Sequence, residues 1–187
     1  PRAMMVAQLR PRKGPETLLR ALPIIRATLP RAEAVFVGDA EFVESRDYLA
    51  ELKALAAALG VAPSARFVGF CDDVPAALRL GDALVLPSLF GEGLPLALLE
   101  GMAAGLPLIA SDAEGNREAV EPESNGLLFA PGDHQALARA AVRLLADPAL
   151  RAKMGAAGER IARERFDMAA VARRHADLYE EIAASGK

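Results

Sequence analysis

Short apolar runs alternate along this chain with longer stretches in which apolar residues recur every three or four positions. The runs at residues 4–9, 34–37, 66–68, 83–86, 106–110 and 126–129 predict buried strands. Between the first two, Leu18, Leu19, Leu22, Ile25 and Leu29 line one face of a helix predicted over residues 16–29, which Pro23 is expected to bend. Further helices are predicted over residues 48–59, closed by Gly60, and over 96–104, with a short one ending at Leu80 and a helical turn at 117–120. Three more, over 135–145, 148–165 and 169–184, finish the chain. Strands that alternate with helices predict an α/β fold, a Rossmann-like doubly wound parallel sheet of about six strands. In such open sheets ligands bind outside the carboxyl ends of the strands. Five loops leave those ends, at residues 10–14, 38–44, 69–73, 88–95 and 110–116, so candidate site residues in them converge on one edge.

Composition narrows the class. The 187 residues fit one domain with a sizeable core, and 52% hydrophobic with 25% charged residues is an ordinary globular balance. A net charge of −3 gives no electrostatic footprint for nucleic acid. Cys71 is the single cysteine, so no internal disulfide is available, which fits a reducing, cytoplasmic setting. There is no transmembrane-length apolar run and no signal peptide. The start at Pro1-Arg2, without an initiator Met, suggests a fragment or a processed product.

Candidate chemistry concentrates in SLFGEGLPLALLE, residues 88–100. It follows the strand at 83–86 and reads as a glycine-bearing loop entering a helix, with Pro95 as the expected first helical residue. The unpaired N–H groups and positive dipole end of a helix N-terminus favour a phosphate. Glu92 lies in the loop, and Glu100 can lean back toward it because helical side chains tilt to the N-terminus. Such a site suits an anionic ligand that also carries hydroxyls. A carboxylate beside a helix start is equally read as a plain favourable charge, and Glu100 as a solvent-facing residue. Gly91-x-Gly93 with Asp112 beyond also begins a dinucleotide-binding pattern, but Leu96 replaces the third glycine and Glu92 would oppose the pyrophosphate. Lys13, with Arg10 and Arg12 beside it, reads either as a solvated basic turn or as a point charge for phosphate. His134 is expected exposed at a helix start, and His175 sits among Arg173, Arg174 and Asp177, so no metal site is predicted.

Glu92 and Glu100, within EGLPLALLEGMAAGLPLIAS, resemble the E-x7-E segment of retaining glycosyltransferases of family 4, enzymes of the GT-B fold. The likeness runs over nearly the whole chain and implies the C-terminal, donor-binding half of a two-domain enzyme. That enzyme would move a sugar from a nucleoside diphosphate sugar to an acceptor hydroxyl without a metal. The resemblance assigns Lys13 and the N–H groups of Gly93, Leu94 and Leu96 to the diphosphate, Glu92 to sugar hydroxyls and Glu100 to the ribose. It assigns the main chain around Gly69 and Cys71 to the base, leaving the Cys71 thiol buried and inert. Members commonly carry Gly-Arg-Leu, three residues, then Lys-Gly; here Gln8 stands at the diphosphate Arg, so either Arg10 or Arg12 supplies that charge or the enzyme is slower or takes an unusual donor. The partners implied are the nucleotide-sugar donor and an N-terminal acceptor domain, through which peripheral membrane contact is allowed. The last helix, 167–187, with Met168, Val171, His175, Leu178, Tyr179 and Ile182 at helical intervals, packs either on its own sheet or on that other domain. The alternatives are half of a nucleotide-sugar 2-epimerase of the same fold or a nucleotide-binding module without chemistry.

Overall fold

A computed structural model describes residues 1–40 and 47–185. Six parallel strands form one sheet: β1 (Arg2–Val6), β2 (Glu33–Val37), β3 (Ala65–Gly69), β4 (Ala83–Leu86), β5 (Leu108–Ser111) and β6 (Gly126–Phe129). Their order across the sheet is β3-β2-β1-β4-β5-β6. Direction of winding therefore reverses between β1 and β4, and the loops leaving these two neighbours must diverge from a shared crevice.

Burial on both faces explains why the strands read as continuous apolar runs. Side chains alternate, so Ala3, Met5, Phe36, Val85 and Ile109 enter one layer, and Met4, Val35, Val37, Leu84, Leu86 and Leu108 enter the other. The first layer is closed by α1 (Pro15–Thr28), α2 (Tyr48–Ala58) and α6 (His134–Ala146), which contribute Leu18, Leu22, Ile25, Leu52, Leu137 and Leu144. The second is closed by α3 (Val74–Leu78), α4 (Leu96–Ala103) and the short α5 (Asn116–Ala119). Helix α7 (Pro148–Ile161) gives Met154 to the first layer and Ile161 to the second, so it runs from one face to the other. Each buried Leu, Ile or Met contributes roughly 1.5–3 kcal/mol by leaving water, which is what holds the layers.

Several boundaries differ from the sequence reading. Strand β1 ends at Val6, yet Ala7 and Leu9 still donate to Val37 O and Asp39 O at 3.0 and 2.8 Å, so pairing continues irregularly into the loop. Strand β5 starts at Leu108 rather than two residues earlier: Leu106 N bonds back to Gly101 O at 2.9 Å, closing α4, and Pro107 has no N–H to offer. Helix α1 continues through Pro23 as one element. Pro95 is the N-cap of α4, extended at φ −75° and ψ 120°, and not its first helical residue. Its carbonyl accepts from Leu98 N at 3.0 Å, so the helix proper opens with Leu96. The loop expected over 38–44 lies outside the described residues from Glu41 onward.

The second of the three terminal helices ends early. After Ile161 the chain takes a π-helical turn, Ala162–Phe166, and then α8 (Met168–Ala184), capped by Asp167. No residue of α8 is buried, and Met168, Leu178, Tyr179 and Ile182 are exposed. Of the two packings open for this segment, the one on its own sheet is not what the fold contains.

Candidate active site at the strand switch

The loop after β1 is a 3-10 turn, Pro11–Lys13, stopped by Gly14 in the left-handed region at φ 68°. Gly14 presses against the chain leaving β4, where an added Cβ would lie 2.1 Å from Pro87 O. Leu89 N donates to Arg12 O at 2.7 Å, fastening the two loops together. Lys13 therefore faces the turn after β4 although 79 residues separate it from Glu92.

At that turn the Glu92 carboxylate, with a side chain only 5% exposed, accepts from Lys13 Nζ at 2.6 Å and from Ser88 Oγ at 2.5 Å. Burying a carboxylate is costly unless it is paired and hydrogen-bonded, and charge-assisted bonds of this kind contribute about 1.5–3 kcal/mol each. Arg12 approaches the same oxygen at 4.0 Å and donates to Gly91 O at 2.9 Å. Behind Glu92, Ser111 Oγ donates to Ser88 O at 2.5 Å, and Asn116 Nδ2 donates to Ser111 O and Oγ at 2.9 and 3.1 Å. Ser88, Ser111 and Asn116 are buried, so a polar relay runs from α5 through the ends of β5 and β4 to Glu92. Gly115, just before α5, fits against the same turn: a Cβ there would sit 1.4 Å from Gly93 O. The sequence reading assigned none of these four residues a role. The signal was present in small polar residues directly after adjacent parallel strands, where side chains must meet the crevice.

Among the described residues, the N–H groups of Gly93, Leu94 and Leu96 have no hydrogen-bond partner. They surround the N-terminus of α4, where free donors and the helix dipole favour an anion.

A second region opens beside the switch. Gln8, Gly38, Asp39, Phe70, Cys71 and Val74 line a cleft of about 610 Å³ between the ends of β1, β2 and β3. Gly69 closes β3 at φ 80°, and its carbonyl accepts from Gly38 N at 2.8 Å. Phe70 is 73% exposed, and the Cys71 thiol is half-buried at the wall of the cleft rather than buried. Glu100 is exposed on α4, and its carboxylate has no ion-pair or hydrogen-bond partner among the described residues. It lines a separate hollow of about 410 Å³ with Leu99, Arg163 and Phe166, so the structure does not bring it into the Glu92 network.

Other candidates fall away. Asp112 follows β5 and is bound by Arg117, whose hydrogen bond, and then its charge, hold the carboxyl below the usual carboxylate range. It is thus engaged rather than offered to a ribose. His134 is half-buried at the start of α6, and the exposed His175 ring meets Val171 O at 2.9 Å. Among the described residues no group of three His, Cys, Asp or Glu side chains is arranged to hold a metal. Nor is any described helix long and apolar enough to cross a membrane.

Comparison with known proteins adds a family. The profile of the family described as "Glycosyl transferases group 1" matches residues 1–161. The phosphatidyl-myo-inositol mannosyltransferase of Mycobacterium leprae (strain TN) is 35% identical over 178 residues, 94% of this chain and 45% of that protein. The GDP-mannose-dependent alpha-(1-6)-phosphatidylinositol monomannoside mannosyltransferase of Mycobacterium tuberculosis (strain ATCC 25618 / H37Rv) is 35% identical over 166 residues, 84% of this chain and 42% of its own length. In structure, Anabaena Alr3699/HepE in complex with UDP superposes with a TM-score of 0.89 at 30% identity, covering 96% of this chain and 48% of that one. The chain thus spans less than half the length of the curated relatives it matches.

Proposed function

The chain belongs to the glycosyl transferases group 1 family, and from that premise we propose that it is the donor-binding half of a retaining, family 4 glycosyltransferase. The whole enzyme transfers a sugar from a nucleoside diphosphate sugar to an acceptor hydroxyl held by an N-terminal domain. One observation carries the reading: Lys13 and Glu92 meet at the reversal of strand order, beside unpartnered N–H groups at the start of α4.

In this reading the donor lies along the carboxyl edge. Its base enters the cleft at Gly69 and Cys71, its diphosphate spans Lys13 and the N–H groups of Gly93, Leu94 and Leu96, and its sugar reaches Glu92. Rupture of the glycosidic bond places charge on the departing diphosphate, and preplaced donors stabilise that charge without reorganising. Lys13 supplies a cationic donor there, its charge offset by Glu92, and α4 adds its dipole. Glu92 Oε1 is already engaged by Lys13 and Ser88, which leaves Oε2 to accept from sugar hydroxyls. Glu100, unpaired on α4, holds the ribose hydroxyls. No metal is required, since Lys13 and main-chain donors carry the neutralising role. The bare α8 packs on the acceptor domain, and the enzyme works in the cytoplasm with any membrane contact made through that domain.

A binding matrix of two variants against two ligand types tests the assignment. Glu92→Gln is expected to leave affinity for free UDP or GDP nearly intact and to weaken the corresponding nucleotide sugars. Glu100→Gln is expected to weaken both ligand types about ten- to hundredfold, because both contain the ribose. Equal proportional losses in both variants would refute the separate roles, and a parent chain that binds neither diphosphate would refute the donor-binding reading itself.

A further inference from the structure

We infer that Arg12 is the second diphosphate-binding cation of this chain, in place of the arginine missing at Gln8. The inference rests on the donor-binding reading above and adds a residue to it. Lys13 and Glu92 neutralise one another at 2.6 Å, so by themselves they present no net charge to an incoming dianion. Arg12 stands 4.0 Å from the same carboxylate oxygen, which makes the cluster two cations and one anion. The excess positive charge of the crevice is therefore that of Arg12.

Its position is set from both ends. The Arg12 carbonyl accepts from Leu89 N at 2.7 Å, and its guanidinium donates to Gly91 O at 2.9 Å. Gly91 adopts φ 70°, a left-handed conformation that suits glycine, and its Cα side lies in ordinary contact range of the guanidinium, with Nη1 3.8 Å from where a Cβ would stand. A guanidinium has five N–H donors, so most remain for phosphate oxygens, which it can take in pairs. The side chain is 38% exposed, open to a ligand yet held against the loop. Arg12 differs from its neighbours in being fixed to the turn after β4. Arg10 is half-buried, and its buried Nε has no acceptor among the described residues. Gln8 is neutral and lines the cleft with Phe70 and Cys71.

The test is calorimetric titration of the chain with UDP, GDP, uridine and guanosine, folding being checked by thermal melting. Arg12→Ala is expected to bind whichever diphosphate the parent prefers about ten- to hundredfold more weakly, with the nucleoside changed by less than about twofold. Adding Gln8→Arg to Arg12→Ala is expected to recover most of that loss, because it sets a cation just after β1, in the cleft that opens beside the crevice. Unchanged diphosphate affinity in Arg12→Ala would overturn the inference while leaving the donor reading intact. So would a loss shared equally by the nucleoside, or a double variant as weak as the single one. A parent that binds none of the four ligands would overturn both.

Discussion

Where β1 and β4 deliver their loops, side chains and main chain are tied before any ligand arrives: Lys13 and Ser88 hold Glu92, Ser111 holds Ser88, and Asn116 holds Ser111. Where β1, β2 and β3 end, the same edge opens into a cleft of about 610 Å³ with Phe70 73% exposed at its rim. Both regions come from one topology, yet only the first has loops from strands on opposite sides of the winding reversal. Those loops lean on one another through Gly14, Leu89 and Gly115. The difference teaches a division of labour. On the proposed reading, fixed donors serve the end where charge develops, because stabilisation there depends on geometry set in advance. The open end needs apolar area and main-chain donors, and tolerates adjustment.

The harshest way to break the closed region is Gly115→Ala. A methyl group 1.4 Å from Gly93 O forces the turn after β4 away from α5, and we predict a loss of about 3 kcal/mol or more in denaturant unfolding. A loss below about 1 kcal/mol would show that the two loops slide past each other and that the closed region is not rigid. Next comes Lys13→Ala, which strips the cation from a carboxylate only 5% exposed. Expected are a drop of about 1–3 kcal/mol in stability and a similar loss in diphosphate binding. If calorimetry and melting both match the parent, Lys13 is merely a solvated basic turn.

Phe70→Ala addresses the open region. With the ring 73% exposed, stability should stay within about 0.5 kcal/mol of the parent. Nucleoside affinity should fall by about 1 kcal/mol if a base packs on the ring, and a stability loss as large as that of Lys13→Ala would erase the contrast between the regions. The smallest effect concerns Asp112, on the surface of the closed region. Arg117 lowers its pKa, first by hydrogen bond and then by charge. A depressed folded-state pKa gives stability that is present above the unfolded value and lost as pH falls through the folded one. Arg117→Gln should therefore lose less melting temperature than the parent between about pH 6 and about pH 3, by about 1 °C. A markedly larger difference would mean that this exposed pair, and not the buried relay, braces α5.

Much of this was legible in the residues. Apolar runs located all six strands and three- to four-residue spacing every long helix, because burial of the sheet on both faces leaves so plain a pattern. Lys13 and Glu92 were both singled out, and strand order explains their meeting. Their direct pairing was not legible, since nothing in local sequence says that β1 and β4 are neighbours. Ser88, Ser111 and Asn116 escaped for a related reason: serines and asparagines in loops are ordinary, and only the fold reveals that these three are buried in series. Pro95 misled because proline suits both the first helical position and an extended cap, and the choice depended on which carbonyl Leu98 would find. Glu100 is still harder to read, as its helix position permits a lean toward the loop while the packing of α4 sets it on another hollow.

The contact between Gly115 and Gly93 O has a genetic side. Every missense change in a glycine codon adds at least one carbon, so position 115 has no conservative neighbour in the code, and position 14, with Pro87 O at 2.1 Å from a would-be Cβ, has none either. The two seams that close the crevice are thus written in a one-letter alphabet. Of the residues lining the open cleft only Gly38 is bound in this way, with Ala7 O at 1.9 Å from a would-be Cβ, so drift at the other positions can reshape what the cleft accepts while the seams stay as they are.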